Sequence, residues 1–153
     1  MVNDGSTDET HDILTAYADG DPRVIYHRFE RNKGMMEAFN HGYRMATGDM
    51  IYPTASDDYL VSGSFFESAA RMIKKVPHAA GVFGQCELVA MDPGKSLGLM
   101  GGFPGAHGYL APRQFMEAFL THKGIIPGVS AIMRRDLVDK IGGYPWELGP
   151  QND

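Results

Sequence analysis

The chain has 153 residues, 43% hydrophobic and 22% charged, which is enough length and apolar material for one domain with its own core. A net charge of -5, from 14 basic and 19 acidic residues, speaks against a dedicated nucleic-acid binder. No apolar run approaches a membrane span and no basic-then-apolar leader opens the chain; Cys86, the only cysteine, has no partner for an intramolecular disulfide, so a reducing, cytoplasmic compartment is expected.

Strands and helices are predicted to alternate along the chain. Val2-Asn3-Asp4-Gly5-Ser6 reads as a strand end leading to a helix, with Ser6 and Glu9 at capping-box spacing and Ile13, Leu14 and Tyr17 on one apolar face. Asp19-Gly20-Asp21-Pro22 stops that helix, and Val24-Ile25-Tyr26 reads as a short buried strand. Over residues 35–47, Ala38, Phe39, Gly42, Tyr43 and Ala46 line one helical face, with Gly48 as the C-cap and Gly42 placed for close packing on a sheet. Met50-Ile51-Tyr52-Pro53 is the next strand, and Ser64 with Glu67 starts a helix carrying Phe65, Ala69, Met72 and Ile73 at core spacing.

Residues 80–90 suggest a strand and Asp92-Pro93-Gly94 a turn. Five glycines within residues 98–108 predict a mobile surface loop, which lacks the Lys-Ser/Thr ending of a phosphate-binding P-loop. Pro112 suits the first turn of a helix bearing Phe115, Met116 and Phe119. Residues 129–133 read as a strand and 136–141 as a short helix stopped by Gly142-Gly143. Such alternation implies a largely parallel α/β sheet.

The chemistry concentrates at Ser56-Asp57-Asp58, directly after an apolar strand. Open α/β sheets bind ligands at the carboxyl edge of their strands, where this placement delivers two acids. Adjacent carboxylates repel unless a cation lies between them, and hard oxygen ligands suit Mg²⁺ or Mn²⁺, which keep coordination positions for phosphate oxygens. The plainer alternative is a surface turn in which Asp57 and Asp58 cap the next helix. Elsewhere, Lys33 and Gly34 precede a helix N-terminus, where free N–H groups and the dipole favour anions, although a simple loop-to-helix joint would look the same. Arg134 and Arg135 are open to either diphosphate binding or a surface role at a helix start. The six histidines show no HExxH or similar pairing, so no zinc site is expected.

Taken in order, Asn3-Asp4-Gly5-Ser6, Asn32-Lys33-Gly34, Ala38-Phe39-Asn40-His41-Gly42, Gly48-Asp49, Ser56-Asp57-Asp58, Ile126-Pro127-Gly128 and Gly142-Gly143-Tyr144 resemble the family-2 glycosyltransferases. The resemblance covers nearly the whole chain. It implies a GT-A fold over residues 1–153: an α/β, Rossmann-like, mostly parallel sheet flanked by helices. Relative to the family pattern, the first strand–helix unit is absent, and the chain stops where a catalytic helix should start. The implied activity is metal-dependent, inverting transfer of a sugar from a nucleotide-diphospho-sugar, UDP- or similar, to an acceptor hydroxyl. By resemblance, the loop of Asp4 and Ser6 holds the donor base, and Lys33 and Gly34 contact base, ribose or diphosphate. Asp57 faces the ribose or the metal, and Asp58 ligates the Mn²⁺ or Mg²⁺ that bridges the diphosphate.

The family base follows the Gly-Gly-Tyr segment, which makes Asp153 the candidate, with Glu147 next. Asn3 stands where the family often has a first acid, and Ala55 where an Asp-x-Asp pattern has its first. The resemblance further implies a role in cell-envelope polysaccharide synthesis and a saccharide, lipid or protein acceptor. It leaves peripheral membrane association and self-association through an exposed sheet edge open. The competing readings are a catalytically inactive nucleotide-binding or interaction domain derived from such an enzyme, and a sugar-phosphate nucleotidyltransferase, whose Gly-rich loop and activating Lys are not evident.

Overall fold

In the computed structural model, which describes residues 1–90, 95–103, 108–121 and 123–143, the first strand, β1 (Val2–Asn3), leads through a loop to helix α1 (Thr10–Gly20). The expected capping box does not form. The Ser6 N–H donates to Asn3 Oδ1 at 2.8 Å, so this end of the loop folds back on the strand. Asp8 Oδ1 accepts the Thr10 N–H instead, at 3.1 Å, and α1 begins three residues further on than a Ser6 cap would allow. None of the α1 side chains is buried, and Ile13 and Tyr17 of the expected apolar face are more than half exposed.

β1 pairs in parallel with β2 (His27–Arg28), Val2 opposite His27 and Asn3 opposite Arg28. The strand expected over Val24-Ile25-Tyr26 thus begins only at His27, directly after that stretch. The Val24 N–H bonds the Asp21 carbonyl and Arg23 pairs with Asp21, which prolongs the turn through residue 24. Helix α2 (Met35–Met45) follows and buries Asn40 and Tyr43. Its C-cap is Ala46 rather than Gly48. A Cβ on Gly42 would sit 3.7 Å from Val2 Cγ2, an ordinary contact, so α2 approaches β1 without requiring glycine there. Strand β3 (Met50–Ile51) completes this stretch. It belongs to a unit made of Met1–Ile51 and Arg135–Asp153.

The other unit is Tyr52–Arg134. Helix α3 (Phe65–Lys75) has Ser64 at its N-cap without a side-chain cap bond, its hydroxyl being 2.9 Å from that of Ser62, and the expected capping-box Glu67 pairs instead with Arg71 one turn on, at 2.6 Å. Residues 80–90 are two strands, β4 (Gly81–Phe83) and β5 (Cys86–Val89). The break falls at Gly84, whose N–H donates to the Ser130 carbonyl while the buried Ser130 hydroxyl donates back to the Gly84 carbonyl.

β5 forms an antiparallel hairpin with β6 (Ser96–Met100), so the first three residues of the expected glycine-rich mobile loop are strand. Gly98, with φ +120°, lies opposite Leu88, where the register shifts before Val89, and a glycine within a strand often marks such an irregularity. Next, Gly102 bridges to Ile125. The turn predicted at Asp92-Pro93-Gly94 lies outside the described residues, though the Ala90 N–H reaches the Lys95 carbonyl at 2.9 Å.

Helix α4 (Pro112–Leu120) opens on its proline as expected. After a 3₁₀ turn at Gly128–Ser130, β7 (Ala131–Arg134) pairs antiparallel with β4. The core of this unit is aromatic: Phe103 lies 5.3 Å from both Phe83 and Phe115, with Ala69 and Ile132 buried. Helix α5 (Arg135–Ile141) belongs to the first unit and ends at Gly142-Gly143. Among the described pairs, β1–β2 is parallel as the alternation predicts, while β4–β7 and β5–β6 are antiparallel. No helix among the described residues is long and apolar enough to cross a membrane.

Candidate functional site

One candidate group of residues is built where β1 ends, within the first unit. Asp4, half-buried, aims its carboxylate at the start of α2: Oδ1 accepts the Lys33 N–H at 2.7 Å and Oδ2 the Gly34 N–H at 2.9 Å. These are among the N–H groups that a helix start leaves without intrahelical partners. Charge-assisted bonds to both tie two loops together that lie 29 residues apart in sequence. Each Asp4 oxygen retains a second lone pair for a ligand.

Gly5 lets the loops meet. Its φ is +75°, and a Cβ there would lie 2.6 Å from the backbone of Arg31 and Asn32. Gly34, with φ +89°, makes the reversal into α2, helped by Asn32 Oδ1, which also accepts its N–H. The Ser6 carbonyl accepts from Arg28 Nη2, and Lys33 Nζ lies 4.3 Å over the ring of buried Phe29. The Lys33 and Gly34 N–H groups expected to meet an anion are therefore already bonded to Asp4. The exposed Lys33 ammonium and the exposed Arg31 guanidinium remain in this loop to attract one.

A separate candidate, within the other unit, is the acid pair. Asp57 and Asp58 are both exposed, in a turn closed by the Asp58 N–H on the Ala55 carbonyl at 3.3 Å. Tyr52 secures the chain leading into it. Its hydroxyl donates to the Val129 carbonyl at 2.8 Å, and its ring packs 5.2 Å from Phe66 and 5.5 Å from Phe65. Neither acid caps α3, whose N-cap is Ser64.

Among the described residues no three His, Cys, Asp or Glu side chains converge to hold an ion by themselves. Two exposed, adjacent carboxylates fit a hard cation that completes its shell with oxygens of a bound ligand, the mode natural to Mn²⁺ and Mg²⁺. They do not fit a self-contained structural metal site.

The arginines next to β7 are engaged with protein. Arg134 Nη1 donates to the Pro77 carbonyl, and Arg135 Nε to the Gly48 carbonyl at 2.7 Å. Of the open alternatives for this pair, the structural role is the one observed. Asp153 and Glu147 lie outside the described residues.

Sequence reading missed the support behind Asp4. Asn3, 2% exposed, donates from Nδ2 to Tyr26 Oη at 3.2 Å, and Tyr26 Oη lies 2.9 Å from His11 Nδ1. The only hint was Asn3 itself, a polar residue inside a strand.

Residues 1–142 match the family described as Glycosyl transferase family 2. A prophage bactoprenol glucosyl transferase homolog of Escherichia coli K12 is 45% identical over 57 residues, 37% of this chain and 19% of that protein. A PGL/p-HBAD biosynthesis glycosyltransferase of Mycobacterium tuberculosis H37Rv is 35% identical over 74 residues, 48% of this chain and 28% of that protein. The chain thus spans less than a third of the length of these curated relatives. The mannosyltransferase PcManGT of Pyrobaculum calidifontis, solved with GDP-Man and Mn²⁺, shares the fold with a TM-score of 0.57 at 20% identity. That likeness covers 94% of this chain and 37% of PcManGT, and the common architecture is the GT-A fold. On a match that runs through residues 1–142, the chain belongs to glycosyltransferase family 2.

Proposed function

We propose that this chain carries the donor-binding part of a glycosyltransferase that moves a sugar from a nucleotide-diphospho-sugar to an acceptor hydroxyl, with inversion and with a divalent cation. The observation that carries the reading is the exposed Asp57-Asp58 turn, two hard-oxygen ligands with no third protein ligand beside them among the described residues. Asp58, with Asp57, would hold Mn²⁺ or Mg²⁺. When bound, such an ion supplies Lewis-acid stabilisation of the diphosphate that departs with the nucleotide.

Asp4 contributes its remaining lone pairs to the base, an imide N–H being a suitable donor, and the Ser6 segment flanks it. The Lys33 ammonium supplies positive charge toward the ribose or diphosphate, and Gly34 fixes the backbone beneath it. Asp153 takes the proton of the acceptor hydroxyl as it attacks the anomeric carbon. The GDP-Man and Mn²⁺ bound by PcManGT make GDP as natural a probe as UDP, and the bactoprenol in the name of one relative favours a lipid-linked acceptor. Proteins acting on such acceptors work at a membrane surface, so peripheral association and a cytoplasmic location are part of the proposal.

Calorimetric titration of UDP and GDP tests it. One of them is expected to bind at least about tenfold more tightly in Mn²⁺ than in EDTA, and Asp58→Ala to abolish that difference. Equal affinity in EDTA and Mn²⁺ for both nucleotides would overturn the metal-dependent reading.

A further inference from the structure

Asn3, the most buried polar residue among the described residues of the first unit, is held at both ends of its side-chain amide. Oδ1 accepts the Ser6 N–H at 2.8 Å, which closes the turn around Asp4 and Gly5. Nδ2 donates to Tyr26 Oη at 3.2 Å. With its proton on Nε2, His11 accepts the Tyr26 hydroxyl proton at Nδ1, 2.9 Å away, and a single directed chain runs Asn3 to Tyr26 to His11. Thr15 steadies the last member, its hydroxyl donating to the His11 carbonyl at 2.8 Å. Three elements thus converge on one amide: β1, the segment before β2, and α1.

We propose that Tyr26 and His11 are positioning residues for the nucleotide: by fixing Asn3 they hold the Asp4 turn in register with the N–H groups of Lys33 and Gly34. Without the Tyr26 hydroxyl, the Asn3 amide keeps only its Ser6 bond and can rotate within its site. The turn then loosens next to the carboxylate that grips the second loop. The nucleotide part rests on the Asp4 assignment above; the effect on the loop does not.

The test compares Tyr26→Phe, His11→Ala and His11→Asn in the full chain. Phe keeps the ring, and Asn places an acceptor oxygen near the position of Nδ1, so His11→Asn is the rescue variant. Amide hydrogen exchange at Lys33 and Gly34 is expected to quicken in Tyr26→Phe and His11→Ala, with the α2 interior at Phe39 unchanged and His11→Asn close to wild type. The Kd of UDP or GDP, whichever binds in Mn²⁺, should rise about three- to tenfold in the first two variants, in line with one lost hydrogen bond.

Exchange at Lys33 and Gly34 that stays at the wild-type rate in Tyr26→Phe, or that quickens together with all of α2, overturns the inference. So does an unchanged Kd in Tyr26→Phe when Asp4→Ala has lost binding. If Asp4→Ala itself binds normally, the donor role of Asp4 falls, and the exchange rates alone decide the positioning of the loop.

Discussion

Gly5 is the residue at which backbone and site constrain each other most directly. An added methyl would meet the Arg31 and Asn32 backbone at 2.6 Å, at a φ that side chains rarely adopt. Gly5→Ala is therefore expected to cost about 1–3 kcal/mol in urea unfolding and to weaken nucleotide binding with it. A change below about 0.5 kcal/mol, the range of neutral surface substitutions, would show that the two loops can part freely.

His41 makes a different residue-level prediction. Its ring stacks on His27 at 4.0 Å, and Phe29 stands edge-on to both. Burial, then the neighbouring His27, Arg44 and Lys33, hold its pKa below the ordinary 6.5, with Glu37 opposing. Between the two values the unfolded chain binds more protons than the folded one, so stability is full above about 6.5 and falls as pH drops through that value. His41→Phe, which keeps an aromatic ring but cannot titrate, should flatten the fall in Tm between pH 7.5 and 5.5; an unaltered slope would assign it to other groups. At this scale the sequence singled out Asp4, Asp57 and Asp58 as candidates through their order along the chain. It could not show that Asp4 already binds the Lys33 and Gly34 N–H groups, because that contact joins residues 29 apart.

Among the elements, the helices were legible, and so were the starts of α2, α3 and α4, but the start of α1 was not. Ser6 and Glu9 have the spacing of a capping box, yet the Ser6 N–H is drawn to Asn3 and Asp8 serves α1. Asp8→Ala should thus lower the amide protection of the first turn of α1, and Ser6→Ala should leave it alone; the reverse order would restore the capping box. Side-chain bonds at caps compete with turn bonds to the same few atoms, and spacing alone does not decide that competition. The stretch into the acid turn depends on Tyr52. Tyr52→Phe removes its bond to the Val129 carbonyl while keeping the Phe65 and Phe66 packing. The expected loss is about 1 kcal/mol in chemical unfolding. A loss near zero would mean that ring packing alone fixes this segment.

For the molecule as a whole, strand–helix alternation correctly predicted an α/β fold and the parallel β1–β2 pair. The antiparallel pairs were hidden because pairing partners are set by tertiary neighbours: β4 meets β7 from about fifty residues away, and β5 turns back on β6 through a hairpin. That hairpin carries Leu97 and Leu99, both more than three-fifths exposed. Leu99→Lys should change unfolding stability by less than about 0.5 kcal/mol and reduce concentration-dependent association in sedimentation. A large stability loss would show that Leu99 packs in the native fold. If Asp153 is the base as proposed, Asp153→Asn should slow any transfer about 10²–10⁴-fold while leaving nucleotide affinity nearly unchanged. Near-normal rates would move the base to Glu147.

The bond pair from Asp4 to Lys33 and Gly34, with Gly5 wedged against Arg31 and Asn32, also bears on recombination between relatives. The two loops form one interface inside a single short stretch of chain. A chimera whose crossover falls between residues 6 and 31 takes one half of that interface from each parent and inherits a mismatched fit. Crossovers before residue 3 or after residue 34 pass the pair on intact, so the fit of the two loops should travel between homologues as one block.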